Sequence, residues 1–206
     1  DPTTGTLTPV NPVSEGPHSF TYTLTDAAGN ESNQSPAFNL GVDTSVPSAL
    51  AQVTGITDNV GSVTGAVPNG GVTDDTLLSL TGTVSAALAA GETVRVYDNG
   101  VFLGTATVTG TVWTFADSRT LSNGQRVSYT AQVSDVAGNQ SAAGTAYTAT
   151  VDTTGPAEPS DLVLTDNVGE QTGAIANNGK TDDSTPTLSG KAQAGTEYVK
   201  IYSGSA

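Results

Sequence analysis

The sequence predicts an all-β protein built from tandem β-sandwich domains. The composition is the first indication: 24 of 206 residues are Gly and only 13% are charged, a balance that favours strands and turns over helices. The second is patterning, because short alternating apolar and polar runs are separated by turn residues at a spacing of roughly 8–12 residues. The third is an internal repeat that covers the whole chain.

The repeat is visible in blocks that return in fixed order. Residues 26–30 (Asp-Ala-Ala-Gly-Asn) return as residues 135–139 (Asp-Val-Ala-Gly-Asn), an offset of 109 positions. The block Thr-Asp-Asn-Val-Gly at residues 57–61 returns at residues 165–169, an offset of 108 positions. Several such blocks in the same order indicate a repeated domain of about 109 residues.

These matches divide the chain into three parts. Residues 1–43 match only the second half of the repeat, residues 44–152 form a complete immunoglobulin-like repeat, and residues 153–206 match only the first half of the next. The linkers that begin at residues 44 and 153 carry Pro and small polar residues, as short domain junctions do.

Seven strands are expected in the complete repeat. In chain order they are residues 50–57, residues 77–84, two strands around residues 94–102, and residues 112–115, 127–133 and 147–151. A long Gly-rich segment, residues 58–75, follows the first strand. We expect Val94, Val96 and Phe102 to point inward and Trp113 to fill the core. Seven short strands in a domain of this length fit an immunoglobulin-like sandwich.

Net charge and residue content exclude several classes of function. The formal charge is −14, so the field of the chain repels nucleic acid and anionic lipid. Without Cys there is no disulfide, thiolate metal site or cysteine nucleophile. No apolar stretch approaches 18 residues, so we expect no membrane insertion of this segment. No charged-then-apolar leader opens the sequence, so any export signal would lie outside it.

Asp and Asn residues are expected to gather at the ends of each sandwich. Alternating strand directions place residues 58–75 and Asp152 at one end and the turn at residues 135–139 at the other. Bare carboxylates brought together at a junction would repel one another, and Ca²⁺, which accepts 6–8 oxygen ligands, would relieve this. The candidate ligands are Asp26, Asn30, Asp43, Asp58, Asp74, Asp75, Asp135, Asn139, Asp152, Asp166, Asp182 and Asp183.

Plainer interpretations of the same residues remain open. Asp and Asn also cap turns by accepting hydrogen bonds from their own backbone, which needs no metal. With His18 as the single histidine, we expect neither zinc or copper nor acid–base catalysis. The acidic pairs recur in every repeat, whereas active sites are few per protein, so we expect no enzyme. Rows of alternating Thr at residues 105–111 and 21–25 could instead form a binding face for ice or sugar.

Six short motifs together carry a resemblance to a known family. They are residues 58–61 (Asp-Asn-Val-Gly), 71–75 (Gly-Val-Thr-Asp-Asp), 80–82 (Leu-Thr-Gly), 96–100 (Val-Tyr-Asp-Asn-Gly), 135–139 (Asp-Val-Ala-Gly-Asn) and 151–153 (Val-Asp-Thr). In combination they resemble the tandem immunoglobulin-like repeats of giant bacterial surface adhesins of the biofilm-associated protein type. The resemblance covers essentially the whole chain.

The resemblance implies an exported, extracellular rod on the cell surface that supports adhesion or biofilm formation. It implies Ca²⁺ at the junctions, with one set of ligands formed by Asp58, Asp74, Asp75 and Asp152 and the other by Asp43, Asp135 and Asn139. The third part departs from the pattern, because residues 203–205 (Ser-Gly-Ser) replace residues 98–100 (Asp-Asn-Gly). The alternative function is a ligand-binding module for carbohydrate, ice or a host surface.

The two partial repeats suggest self-association. Residues 1–43 are expected to supply the last three strands of a sandwich and residues 153–206 the first three, and neither set can bury a core alone. We expect the C-terminal part of one chain to pair with the N-terminal part of the next in a head-to-tail filament. Each junction would then borrow its missing loop: Asp26 and Asn30 beside Asp152, and Asp166, Asp182 and Asp183 beside Asp43.

Overall fold

The computed structural model describes residues 11–202, and the chain divides into two compact units, Asp1–Thr153 and Thr154–Ala206. Every regular element in the described residues is a β-strand, which confirms the predicted all-β class. Residues 11–202 contain no helix long and apolar enough to cross a membrane.

Unit 1 begins with a two-stranded antiparallel hairpin of β1 (Gly16–Phe20) and β2 (Phe38–Val42). Phe20 lies opposite Phe38 in its register. The strand expected in the first ten residues lies outside the described residues.

The rest of unit 1 is a β-sandwich of two five-stranded sheets. In the first sheet the spatial order is β4 (Gly65–Val67), β3 (Ala51–Asp58), β6 (Ser79–Val84), β10 (Val112–Ala116) and β9 (Thr107–Thr109). In the second sheet the order is β5 (Gly71–Thr73), β12 (Tyr147–Val151), β11 (Arg126–Ser134), β7 (Thr93–Asp98) and β8 (Val101–Thr105). All pairings are antiparallel except β5 with β12. The strands β4 and β5 lie within the segment expected only as a Gly-rich loop.

The core lies between these two sheets and is mostly aliphatic. The inward residues of β11 alternate as predicted, and Val127, Tyr129, Ala131 and Val133 are fully buried. Trp113 is also fully buried, and its Nε1 donates a hydrogen bond to the carbonyl of Thr83 at 3.2 Å. The indole ring occupies the space that a Cβ on Gly82 would need, so this position of β6 requires glycine.

Phe102 was expected to point inward, and the structure shows that this is wrong. The Phe102 side chain is 44% exposed on β8. The pairing of β7 with β8 shifts register between Val96 and Tyr97, which changes the alternation along β8. The ring therefore lies outside the sandwich, with its centroid 4.1 Å from the Arg95 guanidinium carbon and 5.6 Å from the Tyr97 ring.

Unit 2 is a three-stranded antiparallel sheet in the order β14 (Gly173–Ile175), β13 (Ser160–Asp166) and β15 (Thr187–Lys191). These strands stand at the positions of β4, β3 and β6, 108 residues later in the sequence. A third main strand was expected near residues 199–202 as the counterpart of β7, and this is wrong: the chain is irregular from 192 to 202. In the complete repeat, β7 is hydrogen bonded to β8 and β11, which come later in the repeat. Residues 199–202 have no such partner strands among the described residues of unit 2. Residues 203–205 lie outside the described residues.

Candidate functional site: the acidic ends of the repeat

At one end of the sandwich, two buried aspartates and a threonine form one hydrogen-bonded group. Asp58 ends β3, and its Oδ2 accepts a 2.6 Å hydrogen bond from the hydroxyl of Thr73 on β5. The same hydroxyl accepts a hydrogen bond from the backbone N–H of Asp75 at 3.1 Å. The exposed fractions of these three residues are 7%, 3% and 2%. We call Asp58, Thr73 and Asp75 the Asp–Thr–Asp bridge.

The carboxylates of this bridge are also hydrogen bonded to backbone N–H groups. Asp58 Oδ1 accepts from Val60 at 3.0 Å, while Asp75 accepts from Leu77 at 2.7 Å and from Asn59 at 3.3 Å. These are the short-range side-chain-to-backbone bonds that Asp forms at turns. The bridge therefore joins the two ends of the 58–75 segment where β3 and β5 end.

The same bridge recurs in unit 2. Asp166 Oδ2 accepts from the Thr181 hydroxyl at 2.6 Å, which accepts from the N–H of Asp183 at 3.0 Å. The flanking backbone donors also recur, at 3.0 Å for Val168 to Asp166 and 2.7 Å for Thr185 to Asp183. The hydrogen bond from Thr181 is the largest cause that holds the pKa of Asp166 below its ordinary value. The hydrogen bonds of the bridge therefore recur with the same partner atoms in the second repeat.

The remaining candidates at this end are exposed. Asp74 and Asp182 lie beside the bridges, with their carboxylates against Gly61 and Gly169, which have φ values of 68° and 72°. Asp152 is exposed just after β12, and its backbone N–H donates to the carbonyl of Thr73 at 2.8 Å. Asp58, Asp75 and Asp152 thus lie at one end of the sandwich, where the sequence placed them.

At the opposite end, the turn at residues 135–139 contacts the chain entering the sandwich. Asn139 donates its backbone N–H to Asp135 Oδ1 at 2.9 Å and its side-chain amide to Asp135 Oδ2 at 2.9 Å. The same Nδ2 donates to the backbone carbonyl of Asp43 at 3.0 Å. The side-chain amide of Asn139 is the largest cause that lowers the pKa of Asp135. The structure therefore brings Asp43, Asp135 and Asn139 together.

The hairpin contains the equivalent turn. Asn30 donates its backbone N–H and its side-chain amide to the two oxygens of Asp26, both at 2.9 Å. The side-chain amide of Asn30 is again the largest cause of the lowered pKa of Asp26. The turn is thus a property of each repeat, with or without the junction contact that Asn139 makes.

A second contact at the junctions was not expected from the sequence. Glu15 precedes β1, and its Oε2 accepts from the backbone N–H of Thr44 at 3.0 Å and from its hydroxyl at 2.6 Å. These two bonds are the largest causes that lower the pKa of Glu15. In the complete repeat, Asn123 Oδ1 accepts from the N–H of Thr153 at 2.8 Å. In both repeats, therefore, a side-chain oxygen just before β1 or β11 accepts a hydrogen bond from the first residue of the linker, Thr44 or Thr153.

Another group that the sequence did not reveal lies near the same end as the Asp–Thr–Asp bridge. Arg119 Nη2 donates to Asp117 at 2.6 Å and to Asp98 at 3.0 Å, and the Tyr129 hydroxyl donates to Asp117 at 2.7 Å. Asp98 also accepts from the backbone N–H of Ser128 at 2.8 Å. The group is specific to this repeat, because Thr8, Val10 and Phe20 stand 109 positions before residues 117, 119 and 129. Repetition therefore gave no signal for it.

The buried carboxylate of this group stays ionised because it is paired. Burial raises the pKa of Asp117, but the hydrogen bonds from Arg119 and Tyr129 outweigh it and hold the pKa below its ordinary value. Burial, followed by the bond to Asp117, raises the pKa of Tyr129. Asp117 is therefore a carboxylate held between the Arg119 guanidinium and a neutral phenol, and Asp98 accepts from the same guanidinium, an arrangement suited to holding strands together rather than to proton transfer.

In residues 11–202 no group of three or more His, Cys, Asp and Glu side chains is arranged to hold a metal ion. His18 lies on β1 with its Nε2 2.7 Å from the carbonyl oxygen of Ser14.

Comparison with known proteins gives no family: no family model and no curated protein matches the chain.

Proposed function

We propose that the chain is a non-catalytic structural extender, a segment of tandem immunoglobulin-like repeats from a large bacterial surface adhesin. In this role the repeats form an extracellular stalk that carries a distal adhesive tip and supports adhesion or biofilm formation. The observation that carries the proposal is the recurrence of the Asp–Thr–Asp bridge in two successive repeats with the same donors and acceptors, at 2.6 Å in both for the Thr hydroxyl to Asp bond and at 3.1 Å and 3.0 Å for the bond from the second Asp. A hydrogen-bonded group that recurs in successive repeats stabilises the fold of each repeat. An array of such repeats can act as a structural element without a binding site or an active site in each repeat.

The junction contacts support an extender. Glu15 of the hairpin accepts two hydrogen bonds from Thr44, and Asn139 of the sandwich donates to the carbonyl of the preceding residue, Asp43. Pro47 and Ala49, a few residues further on, are buried. A linker fixed at several points within a few residues has little freedom to bend, which favours a stiff array.

We further propose that Ca²⁺ binds at the junctions and adds to this stiffness. The donor set fits in kind, because Ca²⁺ prefers carboxylate and backbone oxygens. Asp43, Asp74 and Asp152 are exposed at the ends of the repeat, whereas Asp58 and Asp75 are buried. The exposed carboxylates are therefore the first ligands to expect, with the remaining oxygens supplied by a neighbouring repeat.

Melting of the chain by calorimetry, with Ca²⁺ or with chelator, tests the metal. An ion that binds only the folded state adds about 2.7 kcal/mol of stability at 100 times its dissociation constant. We expect a higher melting temperature in Ca²⁺, with a smaller rise in Asp152→Asn. The matched control is Asp161→Asn. Asp161 is an exposed aspartate that forms a 2.7 Å ion pair with Lys191 and is not one of the candidate ligands. Equal melting temperatures in both buffers would remove the ion and leave the hydrogen-bonded array.

A second candidate function is recognition of carbohydrate by the outer face of β7 and β8. Half-buried Arg95 and Tyr97 form a cluster there with exposed Phe102, and Arg95 Nε is buried without a hydrogen-bond partner among the described residues. Aromatic faces stack on sugar rings. A glycan-binding screen with Phe102→Ala as control tests this, and equal binding by both proteins would reject it.

A further inference from the structure

The outer face of the second sheet in unit 1 carries positive charge, in contrast to the acidic ends of the repeat. Val94 and Val96 of β7 are fully buried, so Arg95 and Tyr97 between and beside them point outward. The neighbouring strands β8, β11 and β12 contain no Asp or Glu, and Asp98 of β7 is buried. In the whole chain, acidic residues outnumber basic ones by 20 to 6. This face therefore differs in sign from its surroundings and favours an anion.

The guanidinium of Arg95 has no anionic partner on this face. Its Nε is buried without a hydrogen-bond partner, and it takes part in none of the ion pairs among residues 11–202. Asp98, the acid on the same strand, is already paired with Arg119 at 3.0 Å. A desolvated N–H group without an acceptor costs free energy, and an incoming oxygen atom recovers it. A carboxylate fits this need best, because a guanidinium can donate two parallel hydrogen bonds to it.

The aromatic rings beside Arg95 provide a surface for a sugar. The Arg95 guanidinium carbon lies over the Phe102 ring, 4.1 Å from its centroid, and Phe102 is 44% exposed. Tyr97 lies opposite Phe102 in the register of β7 and β8, and the centroids of the two rings are 5.6 Å apart. Exposed aromatic side chains with a few polar groups around them are typical of small-ligand sites. The apolar C–H face of a sugar ring can pack on the exposed part of Phe102 while a carboxylate reaches Arg95.

We propose that this face binds a glycan that bears a carboxylate, with the carboxylate paired to Arg95 and the sugar ring packed on Phe102. The inference rests on the second candidate function and names the class of carbohydrate. Charge complementarity selects an acidic sugar over a neutral one, because only the acidic sugar supplies the partner that Arg95 lacks. The formal charge of −14 opposes a long polyanion, so the expected ligand is a short glycan with one carboxylate.

NMR titration of the isotopically labelled 206-residue chain with cellobiouronic acid tests the inference. This disaccharide carries one carboxylate, and cellobiose, which has a hydroxymethyl group in its place, is the neutral probe. We expect the acid to bind at least about tenfold more tightly than cellobiose and to shift the Nε–H signal of Arg95. Arg95→Gln should abolish the preference for the acid, and Phe102→Ala should weaken the binding of both disaccharides.

The matched control is Arg126→Gln, which removes the same charge from an exposed position on β11. Arg126 lies roughly 20 Å along this strand from Gln132, the residue opposite Arg95, so its loss should leave the preference intact. Emission of Trp113, the single tryptophan, shows in each variant that the central sandwich is folded.

Three results would overturn the inference. They are no binding of cellobiouronic acid, equal binding of the two disaccharides, and a preference for the acid that persists in Arg95→Gln. Equal binding that is lost in Phe102→Ala would still leave carbohydrate recognition by this face in place, so the failure of the acidic preference is distinguishable from the failure of the second candidate function. Where neither disaccharide binds, the glycan-binding screen decides that function by itself.

Discussion

The Asp–Thr–Asp bridge predicts a large loss of stability when a single oxygen atom is removed. Thr73→Val keeps the shape of the side chain but deletes Oγ1, which donates to Asp58 Oδ2 at 2.6 Å and accepts from the N–H of Asp75 at 3.1 Å. A hydrogen bond to a charged group contributes about 1.5–3 kcal/mol, and a buried donor left unpaired costs about 1–3 kcal/mol. We therefore expect a loss of about 3 kcal/mol in the free energy of unfolding, or more if the 58–75 segment detaches.

The assay is urea denaturation, monitored by the fluorescence emission of Trp113, which is fully buried in the central sandwich. In a thermal melt of a domain of about 100 residues, each kcal/mol of lost unfolding free energy lowers the melting temperature by about 4–8 °C. The melting temperature of Thr73→Val should therefore fall by at least roughly 12 °C. Thr181→Val removes the same atom from the bridge in unit 2 and should leave the Trp113 transition unchanged. A loss below about 0.5 kcal/mol in Thr73→Val, the range of ordinary surface substitutions, would show that the bridge does not stabilise the sandwich.

Substitutions at Asn139, Asp117 and Gly82 test three other contacts. Asn139→Asp removes the amide that lowers the pKa of Asp135 and adds a negative charge, so that pKa should rise, as measured by NMR titration; an unchanged value contradicts the assignment. Asp117→Asn should destabilise most above about pH 4, because a carboxyl whose pKa is lowered by folding loses its contribution as pH falls through the folded pKa; denaturation at several pH values checks this, and a pH-independent difference would disprove it. Gly82→Ala should cost about 1–3 kcal/mol because its methyl group meets both the Trp113 ring and the backbone carbonyl of Gln52, and a neutral effect on melting would show that both can move aside.

Repetition made part of this structure predictable. The strands, the turn at residues 135–139 and the grouping of Asp58 with Asp75 all follow from blocks that recur at a fixed offset. The sequence also offered turn capping beside metal binding as a use for these aspartates, and the hydrogen bonds of the Asp–Thr–Asp bridge show such capping in detail. The role of Thr73 was missed, because residues 58–75 were expected to be a loop, where threonine has many ordinary uses.

Features that occur once could not be predicted in the same way. The contact of Glu15 with Thr44 joins residues 29 positions apart and is replaced by Asn123 in the next repeat, so neither residue type nor spacing marks it. The exposure of Phe102 depends on a register shift that alternation alone does not reveal. The missing strand near residue 200 shows that strand formation depends on partners as well as on local sequence.

The most direct test of a stiff array is small-angle X-ray scattering of tandem copies of the complete repeat, in Ca²⁺ and in chelator. We expect a maximum dimension that grows in proportion to the number of repeats and is greatest in Ca²⁺. The reason is that contacts equivalent to those of Glu15 and Asn139 hold each linker. Growth with the square root of the number of repeats, as in a chain with flexible linkers, would contradict it.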